Sequence, residues 1–457
     1  MSKQSEASAR LRGFISPALA QTGIKLKAEK LDAITDLVGA SMAGAGRYFH
    51  NPEHVIHVGS GGDGISVIAA FFHDLVYLQV DQGMGLNVAR HIGPFLEEKE
   101  GALKLRADLD LAGDPVARAV LGIFGFHPGD PLPPLGGQNE FLSALTAASL
   151  LGPHATLAQI VQIAACIEAT IPFRAPSRGE SAAQRLFGRL SKLNKELKLG
   201  LDDAQLKGAV RRAVKMANQD VSDFGGESTA HFLKNTWELV PEINPMLRDR
   251  GNYSVDGYRR ALQRMEAFFS NLDPMCIFQN FDGEPGAGVL EKLSANAKAR
   301  VQEARVYFQM KLTSLAMLEA LSGSLGEGLA LPLLMGELAN LGTLDSGVEA
   351  LLPAQSQSRP TDDQETALLL LLESDTHEEH GGLKSSPLTA FLLRSIGWAE
   401  LSRLWPLTEK FFEQKASARE LLESFPPHAV KQVGKTISSL LENRAGKVGR
   451  FVGSITG

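Results

Sequence analysis

The segment from Gly64 to Leu78 constrains this chain more than any other, because it is apolar on nearly every side. A helix of that kind is buried, so other elements must surround it. Asp63 precedes the segment and suits the N-cap of its helix. The segment also carries His73 and Asp74, and burying two polar groups without partners costs several kcal/mol. The sequence therefore predicts a buried helix with a polar site towards its C-terminal end.

The pattern on both sides of this segment is helical. Apolar residues recur at helical spacing, and no alternating stretch is long enough to build a sheet. We therefore expect an all-α fold. With 457 residues, two units are expected. The predicted units are residues 1–282, with an insert at about 82–136, and a helical region at 289–457 with a polar linker at about 353–363.

Composition argues against several classes of protein. The net charge of −6 gives no overall attraction to nucleic acid or to an anionic membrane. Cys166 and Cys276 lie far apart, without the spacing of a zinc ribbon. The N-terminus has no apolar signal region, and no apolar run approaches the roughly 20 residues of a membrane span. We expect a cytoplasmic protein that does not act in a membrane.

Three further patterns have two interpretations each. The basic stretch from Arg174 to Lys215 fits a solvated pair of helices or a surface for phosphate or nucleic acid, but no aromatic residues support nucleic acid. His377-Glu378-Glu379-His380 fits a solvated loop or a metal pair. Gly59 to Gly64 fits the entry turn of a helix or, by its glycine content alone, a phosphate-cradling loop.

Histidines cluster just before the apolar segment. His50, His54 and His57 are spaced four and three residues apart, so they share one face if the segment is helical. Imidazoles and carboxylates hold divalent metal ions, and catalytic sites leave positions open for water and substrate. A metal would satisfy His73 and Asp74. Surface histidines, or core histidines with other partners, are the alternative.

The quoted residues resemble the HD superfamily of metal-dependent phosphohydrolases, whose pattern is a histidine, a His-Asp doublet and a distant aspartate. The sequence is most similar to a bacterial branch of predicted phosphohydrolases. That branch has a Tyr-His-Asn-x-x-His opening, similar to Tyr48 to His54 with one residue inserted, and a Phe-His-Asp-x-Val-Tyr doublet, similar to Phe72 to Tyr77. Shorter similar segments follow in the same order: Asn139 to Ala144, Ala169-Thr170, and Asp220 to Gly225. The resemblance covers roughly residues 25–275 and not the C-terminal region.

The resemblance implies an HD-type helical domain in which His54, His73, Asp74 and Asp220 hold a divalent ion, namely manganese, magnesium, iron, zinc or nickel. It implies catalytic roles for Asp74 and for His50, with His50 donating a proton to a leaving oxygen. A histidine suits that role because its usual pKa lies near neutrality. A structural hydrogen bond is the alternative for His50.

The resemblance leaves other residues open. Asn51 and Arg174 are candidate substrate contacts, and a surface position is the alternative for Arg174. The branch often has a histidine after its Ala-Thr step, which this chain lacks, so we expect one metal rather than two. His57 has no counterpart and is expected to face solvent or to support a neighbouring ligand. Asp223 competes with Asp220 as the distant ligand.

The expected function is hydrolysis of a nucleotide or another small phosphate ester through a metal-activated water. A di-iron oxygenase of the same superfamily is a second hypothesis. A non-catalytic protein that senses a nucleotide and binds a partner through its C-terminal helices is a third. A homodimer stays open.

Overall fold

The computed structural model describes residues 3–99, 101–134, 136–248, 255–323, 352, 358–373, 386–440 and 445–456. The predicted all-α class is confirmed, because most of these residues lie in helices and their only sheet is one two-stranded hairpin. No helix within them is long and apolar enough to cross a membrane. The cluster His377-Glu378-Glu379-His380 and residues 353–357 of the predicted linker lie outside the described residues.

Residues 1–226 and 273–298 form one compact unit, and the boundary predicted at 282–289 lies in its second segment. Its hairpin pairs β1 (Leu96–Lys99) with the antiparallel β2 (Ala102–Leu105). Its helices are α1 (Lys3–Thr22), α2 (Ala28–Met42), α3 (Pro52–Gly59), α4 (Gly64–Phe72), α5 (Leu78–Asp81), α6 (Leu86–Ile92), α7 (Pro115–Phe124), α8 (Gln138–Leu151), α9 (Leu157–Ala169), α10 (Ala182–Glu196) and α11 (Asp203–Asp220).

Residues 227–272 and 299–457 form the second unit. The long helix α14 (Ala287–Gly323) contributes its first residues to the first unit and the others to the second. The further helices of the second unit are α12 (Thr229–Ile243), α13 (Val255–Asn271), α15 (Asp363–Glu373), α16 (Pro387–Ile396), α17 (Trp398–Phe412), α18 (Ala418–Ser424), α19 (Pro427–Leu440) and α20 (Ala445–Thr456).

Helix α4 lies at the centre of the first unit, packed against α1, α3, α8, α9 and α11. Ile68, Phe71 and Phe72 are completely buried, as the apolar pattern predicted. Each such side chain contributes about 1.5–3 kcal/mol through burial. A Cβ at Gly59 would lie 2.4 Å from the Phe14 ring, so a larger residue there would force that ring to shift.

The predicted start of α4 is confirmed. Pro52 is the first residue of α3, and Asp63 caps α4 by accepting a hydrogen bond from the Ser66 N–H at 3.0 Å. The glycine-rich stretch from Gly59 to Gly64 is therefore the entry turn of a helix. Gly61 adopts a φ of 68° there, which a side chain would disfavour.

The predicted end of α4 near Leu78 is wrong, because the helix ends at Phe72. Beyond that residue, two main-chain N–H groups donate to side chains of α8 and not to the carbonyl oxygens four residues earlier, as they would in a helix. The Val76 N–H donates to Ser143 Oγ at 3.0 Å, and the Leu78 N–H donates to Asn139 Oδ1 at 3.1 Å. His73 and Asp74 consequently lie in a turn after the helix.

The stretch predicted as an insert at 82–136 contains α6, the hairpin and α7. Helix α7 packs against α8 and α9, and its residues Val120 and Ile123 are completely buried. Sequence signals for it were present: Asp114 accepts a hydrogen bond from Ala117 N–H at 2.8 Å, and Gly125 ends the helix with a φ of 76°. Part of this stretch therefore belongs to the core.

Candidate metal centre

The ends of three helices bring the predicted ligands together. His54 lies in the first turn of α3, His73 and Asp74 follow α4, and Asp220 is the last residue of α11. Helix α3 packs against both α4 and α11. The packing of three helices therefore fixes the positions of the four side chains.

Four side-chain atoms form a closed cluster. His54 Nε2 lies 3.0 Å from Asp220 Oδ1 and 3.4 Å from Asp74 Oδ2. His73 Nε2 lies 2.9 Å from Asp74 Oδ2 and 3.5 Å from Asp220 Oδ1. His73 is buried, with 1% of its surface exposed, and 9% of His54 is exposed. Two imidazoles and two carboxylates thus converge on one point.

The hydrogen bonding of these atoms fits a divalent metal ion. Three of them, His54 Nε2, His73 Nε2 and Asp74 Oδ2, are buried without a hydrogen-bond partner. His73 Nδ1 lies 2.8 Å from the carbonyl oxygen of Ala70, which can only accept, so the neutral ring carries its proton on Nδ1. The lone pair of His73 Nε2 then points into the cluster, as in a metal-ligating histidine.

The pKa values of the cluster show that its carboxylates strongly favour a positive charge beside them. Burial alone would lower the pKa of His54, but Asp220 and Asp74 outweigh it and raise that pKa to about 9. The same carboxylates raise the pKa of His73 well above its usual value despite burial. Burial opposes the ionised form of Asp220, yet the two histidines lower its pKa to about 2. That charge can come from protons on the histidines or from a metal cation.

His50 lies beside the same cluster. Donor atoms of His50, His54 and Asp74 lie within 4.8 Å of one another, and so do those of His54, His73 and Asp220. The His50 ring is half-buried and contacts the Tyr77 ring edge-on, with 4.9 Å between centroids. This position suits a proton donor beside a metal, and it also suits a ligand.

Asn51 has partners inside the protein. Its Oδ1 accepts hydrogen bonds from the N–H groups of Glu53 at 3.0 Å and His54 at 3.1 Å. Its Nδ2 donates to the carbonyl oxygen of Tyr48 at 2.7 Å. Asn51 therefore caps the helix that carries His54.

Arg174 also has an internal partner. Its guanidinium binds the carboxylate of Glu168, whose side chain is only 2% exposed, and donates to the Glu168 carbonyl oxygen at 3.0 Å. Arg189 binds the same carboxylate. Arg174 therefore compensates a buried negative charge.

His57 connects α3 to the end of α11. Its Nε2 lies 2.9 Å from Ser222 Oγ and 3.0 Å from Gln219 Nε2. These residues flank Asp220, so His57 supports the position of a candidate ligand. Among the described residues, Asp220 belongs to one of the two groups of metal-type donors, and Asp223 belongs to neither.

Three residues of α8 were not assigned a role from sequence. Asn139 and Ser143 hold the turn after Asp74. Glu140 follows Asn139, and burial raises its pKa to about 7, with the carboxylates of Asp74 and Asp220 adding to the effect. The quoted similarity of Asn139 to Ala144 was the signal that could have indicated these contacts.

The basic residues of α10 and α11 include several with acidic partners. Arg212 pairs with Asp63 at 2.6 Å, and Lys207 pairs with Asp203 at 2.9 Å. Arg211 lies 3.4 Å from Glu284. These pairs favour solvated, internally paired helices over a surface for phosphate or nucleic acid.

No protein-family model, curated protein or solved structure matches this chain. The resemblance to the HD superfamily therefore depends on the residues quoted above, and it stays a prediction.

Proposed function

We propose that this protein is a metal-dependent phosphohydrolase of HD type that acts on a nucleotide or another small phosphate ester. The observation that supports it most is the convergence of His54, His73, Asp74 and Asp220, with three of the facing atoms buried and unsatisfied. Unsatisfied buried polar atoms are costly, so their concentration at one point favours a bound ligand. Nitrogen and carboxylate donors suit zinc, iron, nickel or manganese, and the carboxylates also suit magnesium.

His54, His73, Asp74 and Asp220 would hold the ion. A divalent ion bound there would lower the pKa of a water molecule and polarise a phosphoryl oxygen. The bond from His73 Nδ1 to the Ala70 carbonyl oxygen orients that imidazole before any ligand arrives. The His73 side chain would therefore need little movement to bind an ion.

His50 is the candidate proton donor. Its half-buried ring lies next to Asp74 and His54, at the edge of the proposed metal site. An imidazole can carry a proton near neutral pH and give it to that oxygen. The Tyr77 ring packed against it limits the directions in which His50 can turn.

A second candidate function is a di-iron oxygenase. It is favoured by the two overlapping groups of donors, which share His54 and add His50 on one side. Together they contain five residues, one more than the four assigned to a single ion. Metal stoichiometry separates the two functions.

The test starts with the metal content of the purified protein. We then measure phosphate release from nucleoside monophosphates, cyclic nucleotides and p-nitrophenyl phosphate with Mn²⁺, Mg²⁺, Fe²⁺, Zn²⁺ or Ni²⁺. Asp74→Asn should abolish both metal retention and turnover, whereas Asp223→Asn should retain both. About two irons per chain with oxygen-dependent turnover would replace the hydrolase with the oxygenase. A wild-type protein that binds none of these ions would refute both.

A further inference from the structure

Arg47 joins the two ends of the turn that carries Asp74. Its side chain is completely buried. Nε and Nη2 donate to the Asp81 carboxylate at 2.8 and 2.7 Å. Nη1 donates to the main-chain carbonyl oxygen of Asp74 at 2.9 Å. One guanidinium therefore fixes the main chain of a candidate ligand to the end of α5.

This arrangement needs an arginine. Its planar group presents several N–H donors in a rigid fork, so it can bind a carboxylate with two of them and a carbonyl with a third. A lysine ammonium is a single point charge on a flexible stem and cannot hold the three acceptors in one plane.

The turn is held from its other side by α8. Ser143 accepts from the Val76 N–H, and Asn139 accepts from the Leu78 N–H. In a continuing helix the Leu78 N–H would donate to the Asp74 carbonyl oxygen. Because it donates to Asn139 instead, that oxygen is left to accept from Arg47. Since the helix has already ended at Phe72, these side chains define the path of the chain after it.

The Arg47 guanidinium also contacts the Tyr77 ring, which in turn contacts His50, the candidate proton donor. The carbon at its centre lies 5.6 Å from the centroid of Tyr77, whose ring contacts His50 edge-on. Arg47 thus contacts the elements that orient both Asp74 and His50.

We infer that Arg47 is a positioning residue, which orients the Asp74 carboxylate towards His54 and His73 by holding the Asp74 main-chain carbonyl. The inference rests on the proposed metal site. A purely structural arginine would contribute to stability alone, whereas a positioning residue also sets the metal affinity and the local order of the turn.

Arg189 offers a matched control. Its Nε donates to the carbonyl oxygen of Ile123 at 2.5 Å, and its guanidinium binds the buried carboxylate of Glu168. It has the same kinds of acceptor as Arg47, but they lie on α7 and α9 and include none of the candidate ligands.

The experiment compares Arg47→Lys, Arg189→Lys and wild type by two measurements. Hydrogen–deuterium exchange of the peptide covering residues 73–81 is measured with a chelator present, so it does not depend on metal. Co²⁺ affinity and the visible Co²⁺ spectrum are then measured. Arg47→Lys should accelerate exchange of that peptide, weaken Co²⁺ binding about 10- to 100-fold and change the spectrum. Arg189→Lys should lower the melting temperature and leave the peptide and Co²⁺ binding as in wild type.

Wild-type exchange and wild-type Co²⁺ affinity in Arg47→Lys would overturn the inference, and so would equal losses in Arg189→Lys. If Arg47→Lys does not fold, Asp81→Asn decides instead. It removes the charge that anchors the Arg47 guanidinium and so loosens its hold on the Asp74 carbonyl. Faster exchange of residues 73–81 with weaker Co²⁺ binding supports the inference, and wild-type values of both refute it. A wild-type protein without Co²⁺ affinity would refute the proposed function, while the exchange measurement would still test Arg47.

Discussion

His54 Nε2 lies 3.0 Å from Asp220 Oδ1, across the contact between α3 and α11. The carboxylate of Asp74 approaches the same imidazole at 3.4 Å. Two carboxylates on one buried imidazole leave an excess of negative charge unless a proton or a metal ion compensates it. Competition between protons and metal is therefore built into the cluster.

Metal binding should release protons. The pKa of His54 is about 9 without metal, and a ligating imidazole must be neutral. Affinity for Zn²⁺ or Co²⁺ should therefore rise steadily from about pH 6 to about pH 9. Titration calorimetry in buffers with different ionisation enthalpies measures the proton release. An affinity independent of pH would contradict this prediction.

The metal-free protein should have a pH optimum of stability on the acidic side of neutrality. His54 has a pKa raised from 6.5 to about 9, so its contribution is complete below pH 6.5 and is lost as the pH rises through 9. Asp220 has a pKa lowered from 3.8 to about 2, so its contribution is present above pH 3.8 and is lost as the pH falls through 2.

Melting temperatures measured with a chelator should therefore fall between about pH 6.5 and pH 9, and the contribution of His54 to the free energy of unfolding should fall by an amount on the order of 3 kcal/mol. The variant His54→Gln lacks the titrating group and should flatten this decline. An equally steep decline in both proteins would place its cause elsewhere.

Removing the cap of α3 should destabilise the protein by about 0.5–2 kcal/mol, because Asn51→Ala leaves two N–H groups of the first turn without their acceptor. Asn51→Ser retains a capping oxygen and should lose less. Urea unfolding measures both. A rise in KM with unchanged stability in Asn51→Ala would instead make Asn51 a substrate contact.

Arg174→Lys should reduce stability and leave KM for a phosphate ester unchanged. The reason is that Arg174 donates both to the buried carboxylate of Glu168 and to its carbonyl oxygen. A lysine cannot make both sets of bonds. Thermal unfolding and steady-state kinetics test the two parts. A selective increase in KM would restore Arg174 as a phosphate contact.

Local patterns predicted much of the first unit. The Asp63 cap and the apolar run that begins α4 are short-range signals, and the start of that helix was located correctly. The end of α4 at Phe72 could not be predicted in this way, because its cause is Ser143 and Asn139 on another helix. Tertiary partners determined where that helix stops.

The candidate site divides in the same way. The resemblance to the HD superfamily predicted the four residues that lie together. It did not predict the ion pair between Arg47 and Asp81. A pairing between charged residues distant in sequence leaves no periodic signal in one sequence. Arg174 shows the reverse case: a basic residue near a quoted motif suggested a phosphate contact, but its partner is the buried Glu168.

The last residue of α11 is Asp220, and the facing ligands follow or begin helices early in the chain. An ion held by all of them would act as a cross-link that closes two loops, a short one between His54 and His73 and a long one between Asp74 and Asp220. A cross-link that closes a loop lowers the entropy of the unfolded chain, and the gain in stability grows slowly with loop length. The ion would thus secure the arrangement of α3, α4 and α11 in addition to any chemistry it performs, and a chelator would loosen helices well beyond the site.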